Sequence, residues 1–216
     1  MKRTITGIVW GVSLLITSSL AVHAAGPNTP QEWFTAGQRA VQQARRLTKN
    51  SAPAKNVILF IGDGMGISTI TAARILEGQL RGESGEENQL SFEKFPYVAL
   101  SKTYSVNQQT SDSAPTMTAI VTGVKTNDRL ISVDQFVKLG EPDGHLVKQH
   151  SLRTVLEMAE ERGLSTGVVS TARLTHATPA ACYAHTSNRD WERDTNLPPG
   201  ATVPDIARQL IEFPFG

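Results

Sequence analysis

Asn56-Val-Ile-Leu-Phe-Ile61 is a continuous apolar run that stops at Gly62-Asp63-Gly64-Met65-Gly66. An unbroken apolar run of this length suits a strand buried on both faces, the kind found in parallel sheets covered by helices. Helical spacing lies on either side of it. Pro30 to Lys49 places Trp33, Ala36, Ala40, Val41 and Ala44 on one stripe, and Gly66 to Leu80 turns Ile67, Ile70, Ile75 and Leu76 inward. Tyr97–Val106 and Thr166–Ser170 read as further strands, and Ser113–Val121, Leu152–Glu161 and Val203–Ile211 as further helices. Thr122 to Gln149 has no clear period and reads as irregular. Strands alternating with helices, without an internal repeat, predict an α/β fold with a mainly parallel sheet sandwiched by helices.

Composition narrows the function classes. With 39% apolar and 19% charged residues, the 216-residue chain is neither disordered nor fibrous. Its 21 basic side chains against 20 acidic ones give no field that would draw nucleic acid or an anionic membrane surface. The single cysteine, Cys182, excludes a disulfide within the chain and a multi-cysteine zinc knuckle. At the start, Lys2 and Arg3 precede a mostly apolar stretch from Ile8 to Val22, closed by Val22-His23-Ala24. That is the layout of a secretory signal peptide over residues 1–24, removed on export to the periplasm or exterior. The stretch is interrupted by Ser13 and Thr17–Ser19 and falls short of the roughly 20 residues a membrane anchor needs.

Ligands in open α/β sheets gather at the carboxyl ends of strands. Three polar clusters sit at such positions: Gly62–Gly66, Thr110-Ser111-Asp112-Ser113-Ala114, and Thr175-His176-Ala177-Thr178. Asp63, flanked by glycines, either binds a divalent cation or caps the following helix. The glycine spacing matches neither the dinucleotide fingerprint nor a P-loop. Ser113 stands at a helix start, where it is either a plain cap or a nucleophile activated by a metal or base, and an anion would be favoured there. His176 and Thr178 can face one side of an extended chain and join a metal's surroundings, although a lone histidine is more often structural. Arg189 could fork onto a phosphate or simply sit at the surface, and Cys182 reads as a small core residue.

Taken in order, Asn56–Gly66, Thr110–Ala114, Thr122-Gly-Val-Lys125-Thr and Thr175–Pro179 with Tyr183–Arg189 resemble the alkaline phosphatase family. The likeness runs from about Val57 to Ile211. It implies hydrolysis of small phosphate monoesters with zinc and magnesium, and possession of Ser113 as a nucleophile that forms a phosphoserine. It also implies that Asp63 bridges a zinc and the magnesium, and that Thr178 and His176 serve the magnesium side. Arg189 would then clamp phosphate oxygens, with Asp112 orienting it. Histidine at position 176 is similar to the animal members, where some bacterial ones have aspartate. Pro115 departs from the small residue usual there, yet proline is tolerated in a first helical turn. The full-length form is expected to be a homodimer.

After loss of His23 with the signal, the histidines are His145, His150, His176 and His185, too few for the zinc sites the resemblance implies. The expectation is therefore that residues 25–216 are the N-terminal part of a single catalytic domain, inactive alone and prone to aggregate through unpaired apolar edges. Two alternatives stand beside it. One is another metal-dependent phospho- or sulfohydrolase of the same superfold, although Ser113-Ala-Pro-Thr-Met117 lacks the arginine of the sulfatase motif. The other is a secreted fragment without catalytic activity.

Overall fold

The computed structural model describes residues 29–47 and 51–215, so the expected signal segment lies outside the described residues. Two compact units divide the chain: residues up to 57 with 65–98, and residues 58–64 with 99 onward.

The first unit carries α1 (Pro30–Arg45) and α2 (Ile67–Leu80). Thr29 and Glu32 start α1 as a reciprocal pair: the Thr29 hydroxyl accepts the Glu32 N–H at 3.2 Å, and Glu32 Oε2 accepts the Thr29 N–H at 3.0 Å. Pro30 fills the position where a missing N–H costs nothing. The stripe expected to face inward is not buried, since α1 has no buried residue and Trp33 and Val41 are about half exposed. In α2, Ile70 and Ile75 are partly covered, whereas Ile67 and Leu76 are exposed. Gly78 is the buried residue of this helix, and a methyl group there would come within 2.6 Å of Gly85 Cα. The polar loop after α2 therefore folds back against the helix at two glycines. Asn88 secures it by donating to Arg74 O at 2.9 Å and to Glu77 Oε2 at 2.6 Å.

The second unit holds α3 (Ser113–Thr122), α4 (Gly144–Gln149), α5 (Val155–Glu160), α6 (Ala177–Ala180) and α7 (Ile206–Ile211). Side-chain caps set most of the helix starts. Asp112, Asp143, Thr154 and Asp205 each accept a backbone N–H from the first turn that follows. Two predicted helices consequently begin later than their apolar patterns do, at Val155 rather than Leu152 and at Ile206 rather than Val203. Gly123, at φ 75°, ends α3 in the left-handed conformation that glycine adopts without strain.

Two apolar clusters form the interior of this unit. α3 contributes Ala114, Met117 and Val121 to the first, against Ala177, Ala180, Ala181 and Ala184 of the α6 region. The alanines let the two backbones approach closely. Cys182 lies in the same cluster as a free thiol, as its apolar surroundings in the sequence suggested, and burial pushes its pKa up to about 11. Leu130, Val133, Val137, Val147, Trp191 and Val203 form the second cluster.

The stretch read as irregular, Thr122–Gln149, supplies much of this core. It contains α4 and two isolated antiparallel bridges, Ile131 with Thr186 and Val133 with Ser151. The predicted strands differ in the other direction. Among the described residues, 56–61, 97–106 and 166–170 form no ladder, and Phe60 and Val169 are 89% and 100% exposed. An apolar run becomes a strand only when neighbouring strands satisfy its backbone, and no such neighbour is among the described residues.

Candidate active site

The turn 62–64 places Asp63 at its apex, with Gly64 at φ 68°. Two hydroxyls from distant parts of the sequence meet its carboxylate. Ser113 Oγ lies 3.0 Å from both Asp63 oxygens, and Thr178 Oγ1 donates to Oδ2 at 2.7 Å. The Thr178 hydrogen bond is the main reason Asp63 titrates below the ordinary carboxylate range. The Ser113 hydroxyl and the nearby Arg189 guanidinium add to it, and partial burial opposes them.

Ser113 is the first residue of α3, so its position follows from the cap. Asp112 Oδ1 accepts the Ala114 N–H at 3.0 Å while Oδ2 accepts Arg189 Nη1 at 2.8 Å. One carboxylate thus starts the helix that presents Ser113 and also fixes the guanidinium. Arg189 Nη2 lies 3.1 Å from His176 Nε2. A guanidinium only donates, so Nε2 is the acceptor and the ring proton of the neutral imidazole sits on Nδ1. That Nδ1 is buried and has no hydrogen-bond partner. The six residues singled out from the sequence thus form two hydrogen-bonded groups, Asp63 with Ser113 and Thr178, and Arg189 with Asp112 and His176, joined through the chain where Asp112 precedes Ser113.

The supporting residues had no signature in the sequence. Asp128 Oδ1 accepts the Asp112 N–H at 3.2 Å, and Asn107 Oδ1 holds the Asp128 N–H at 2.8 Å. Arg129, at φ 66°, turns its carbonyl onto the Arg189 N–H at 2.9 Å, and its guanidinium pairs with Asp190. A left-handed arginine is held against its own preference by bonds on both sides. Charged residues in an aperiodic loop give no advance sign of such a role.

Asp63, Ser113 and Thr178 bring oxygen donors together, and that chemistry suits part of the shell of a hard divalent cation such as magnesium. The fit to zinc is poor. Among the described residues no group of three or more His, Cys, Asp or Glu is arranged to hold a metal ion. Two of the other histidines are engaged elsewhere: His150 Nδ1 with Asp134 at 2.9 Å, and His185 Nε2 with Glu157 at 3.0 Å.

The alkaline phosphatase family model matches residues 54–213. An alkaline phosphatase of Gadus morhua is 46% identical over 187 residues, covering 85% of this chain and 39% of that protein. The tissue-nonspecific alkaline phosphatase of Homo sapiens is 42% identical over 208 residues, covering 94% of this chain and 39% of its own length. The crystal structure of a cold-active alkaline phosphatase from the psychrophile Shewanella sp. superposes with a TM-score of 0.50 at 33% identity, over 61% of this chain and 30% of that one. The chain belongs to the alkaline phosphatase family. It spans about two fifths of the length of the curated relatives it matches.

Proposed function

We propose that this chain carries the nucleophile and the anion clamp of a phosphomonoesterase that acts on small phosphate monoesters through a phosphoserine. Ser113 Oγ attacks phosphorus and gives up its proton to solvent, the ester P–O bond breaks, and the departing oxygen takes the electron pair and a proton from water, so that no net proton is gained or lost. A second water attacks the phosphoserine, releasing phosphate and restoring the hydroxyl. Asp63 accepts the hydrogen bond of the Ser113 hydroxyl and aims its lone pairs. Arg189, already oriented by Asp112 and His176, lays two N–H groups on the equatorial oxygens, where charge is concentrated in the transition state. A bound divalent cation supplies positive charge that acidifies the hydroxyl and offsets charge on the oxygens around it. Asp63 and Thr178 would hold magnesium, with His176 beside them, and a zinc sharing Asp63 would need further ligands that are not gathered around it among the described residues.

The observation that carries this reading is the convergence of Ser113 and Thr178 on Asp63, while Asp112 joins the Ser113 helix start to Arg189. The basic and apolar start of the sequence supports export. Among the described residues no helix is long and apolar enough to cross a membrane.

The test is hydrolysis of p-nitrophenyl phosphate with zinc and magnesium. It is measured for the 216-residue chain alone and for the chain mixed with a polypeptide matching the rest of a relative's length. Negligible turnover alone, and turnover in the mixture that labels Ser113 and disappears in Ser113→Ala, is the expected result. Undiminished hydrolysis by Ser113→Ala would remove the nucleophile assignment. Brisk hydrolysis by the chain alone would remove the claim that its ligands are insufficient.

A further inference from the structure

Glu192 lies three residues beyond Arg189 and receives three hydrogen bonds from the turn that leads into α6. Its Oε1 accepts Arg173 Nη2 at 2.7 Å, and its Oε2 accepts Arg173 Nε at 2.9 Å together with the Thr175 hydroxyl. The Arg173 contact is a two-pronged fork, the geometry in which a guanidinium and a carboxylate restrict each other most. Both ends of the contact are anchored. On one side Trp191 is buried, its carbonyl accepts the Ile206 N–H at 2.9 Å, and the Glu192 carbonyl accepts the Ala207 N–H at 3.1 Å. On the other side the Arg173 carbonyl accepts the His176 N–H at 2.9 Å. A further bond on this turn, Tyr183 Oη to Leu174 O at 2.7 Å, ties it to the residues after α6 and not to the Arg189 segment.

We infer that Glu192 is a positioning residue: through Arg173 and Thr175 it clamps the 173–176 turn to the Arg189 segment, so that His176 and Thr178 stay in register with Arg189 and Asp63. The other link visible between these two segments near the site is the 3.1 Å contact from Arg189 to His176, a neutral acceptor at longer range. The consequence for phosphate handling rests on the function proposed above; the clamp itself does not.

Backbone hydrogen exchange and the ring nitrogen signals of His176, followed by NMR in this chain, test it. Glu192→Ala is expected to speed exchange at the His176 and Ala180 amides about tenfold. It is also expected to shift the His176 ring signals away from the Nδ1–H tautomer that Arg189 selects, while the bridged amides of Ile131 and Thr186 keep their rates. Glu192→Gln, which keeps the shape and loses the charge, should give a smaller change of the same kind. Exchanging the partners, Arg173→Glu with Glu192→Arg, should recover most of the wild-type pattern, which a diffuse loss of packing would not. Unchanged His176 signals in Glu192→Ala, an equal rise at Ile131 and Thr186, or no recovery in the exchanged pair would each overturn the clamp. A sound clamp alongside a failed phosphatase assay would sink the functional reading alone, and the reverse result would sink the clamp alone.

Discussion

Two regions of the second unit were equally apolar or motif-rich in sequence, and they end differently. Around α3 and α6, alanines and a capped helix start bury Ala114, Ala177, Ala180 and Ile131 completely or nearly so, and Asp112 ties the helix start to Arg189. In the 58–61 segment, Ile58, Leu59 and Phe60 are exposed, and only the turn that follows, with Asp63, engages other elements. The difference lies in what each region needs. A short helix with a side-chain cap satisfies its own backbone and needs a partner on only one face, so local sequence suffices to shape it. An apolar strand needs a hydrogen-bonding neighbour along its edge, which its own residues cannot provide.

Polar substitution in the two regions is the harshest way to test that contrast. Ile131→Ser removes a fully buried side chain and leaves a hydroxyl in its place, and should cost about 4 kcal/mol in urea denaturation. Phe60→Ser should leave stability within about 0.5 kcal/mol and reduce aggregation, read by light scattering. Equal losses at the two positions would mean that residue 60 is packed in solution. Overpacking is milder: Ala180→Leu forces extra volume between α3 and α6 and should cost about 2–3 kcal/mol.

A smaller effect separates capping from charge at the head of α3. Asp112→Ala removes the cap on Ala114 and the partner of a mostly buried Arg189, for a loss of about 1–2 kcal/mol by the same measurement. Asp112→Asn keeps a cap oxygen and should lose less than half of that. If the asparagine variant is as weak as the alanine one, the ion pair and not the cap sets the helix start.

The site was legible in the sequence to a greater extent than the scaffold. Asp63, Ser113, His176 and Thr178 could be singled out because each sits in a short motif beside a glycine turn, a helix start or a proline, where local rules operate, whereas Arg189 has no such local sign and reads as a fork for phosphate or a surface residue. The core contributed by 130–137 was missed because its apolar residues follow an aperiodic path. There Arg129 and Ser132 adopt positive φ, and side-chain bonds replace regular ladders. Ser132, for instance, is held by its N–H to Thr118 Oγ1 at 2.9 Å and by its hydroxyl to Ala181 O at 2.7 Å. Neither contact is between sequence neighbours, so no window along the chain contains both partners. Glu192 escaped notice for the same reason: its partners, Arg173 and Thr175, lie 19 and 17 residues earlier.

That clasp also makes the smallest prediction, one of pH. Arg173 first, and with it the Thr175 hydroxyl, outweigh burial and hold the Glu192 carboxyl at about 2, below its ordinary value of 4.5. A depressed carboxylate binds its proton less readily when folded. Its contribution is therefore complete above about pH 4.5 and fades as the pH falls towards 2. The unscreened linkage would be about 3 kcal/mol, but the Arg173 side chain is 67% exposed, and solvent screening reduces the expected contribution to about 1 kcal/mol. Urea denaturation of wild type and Glu192→Gln at pH 5 and at pH 2.5 isolates it, because the other carboxylates are common to both proteins. The wild type should be the more stable at pH 5, and the gap should shrink to roughly a quarter of that at pH 2.5. A gap that stays constant between the two pH values would place the worth of Glu192 in its shape and not in its charge.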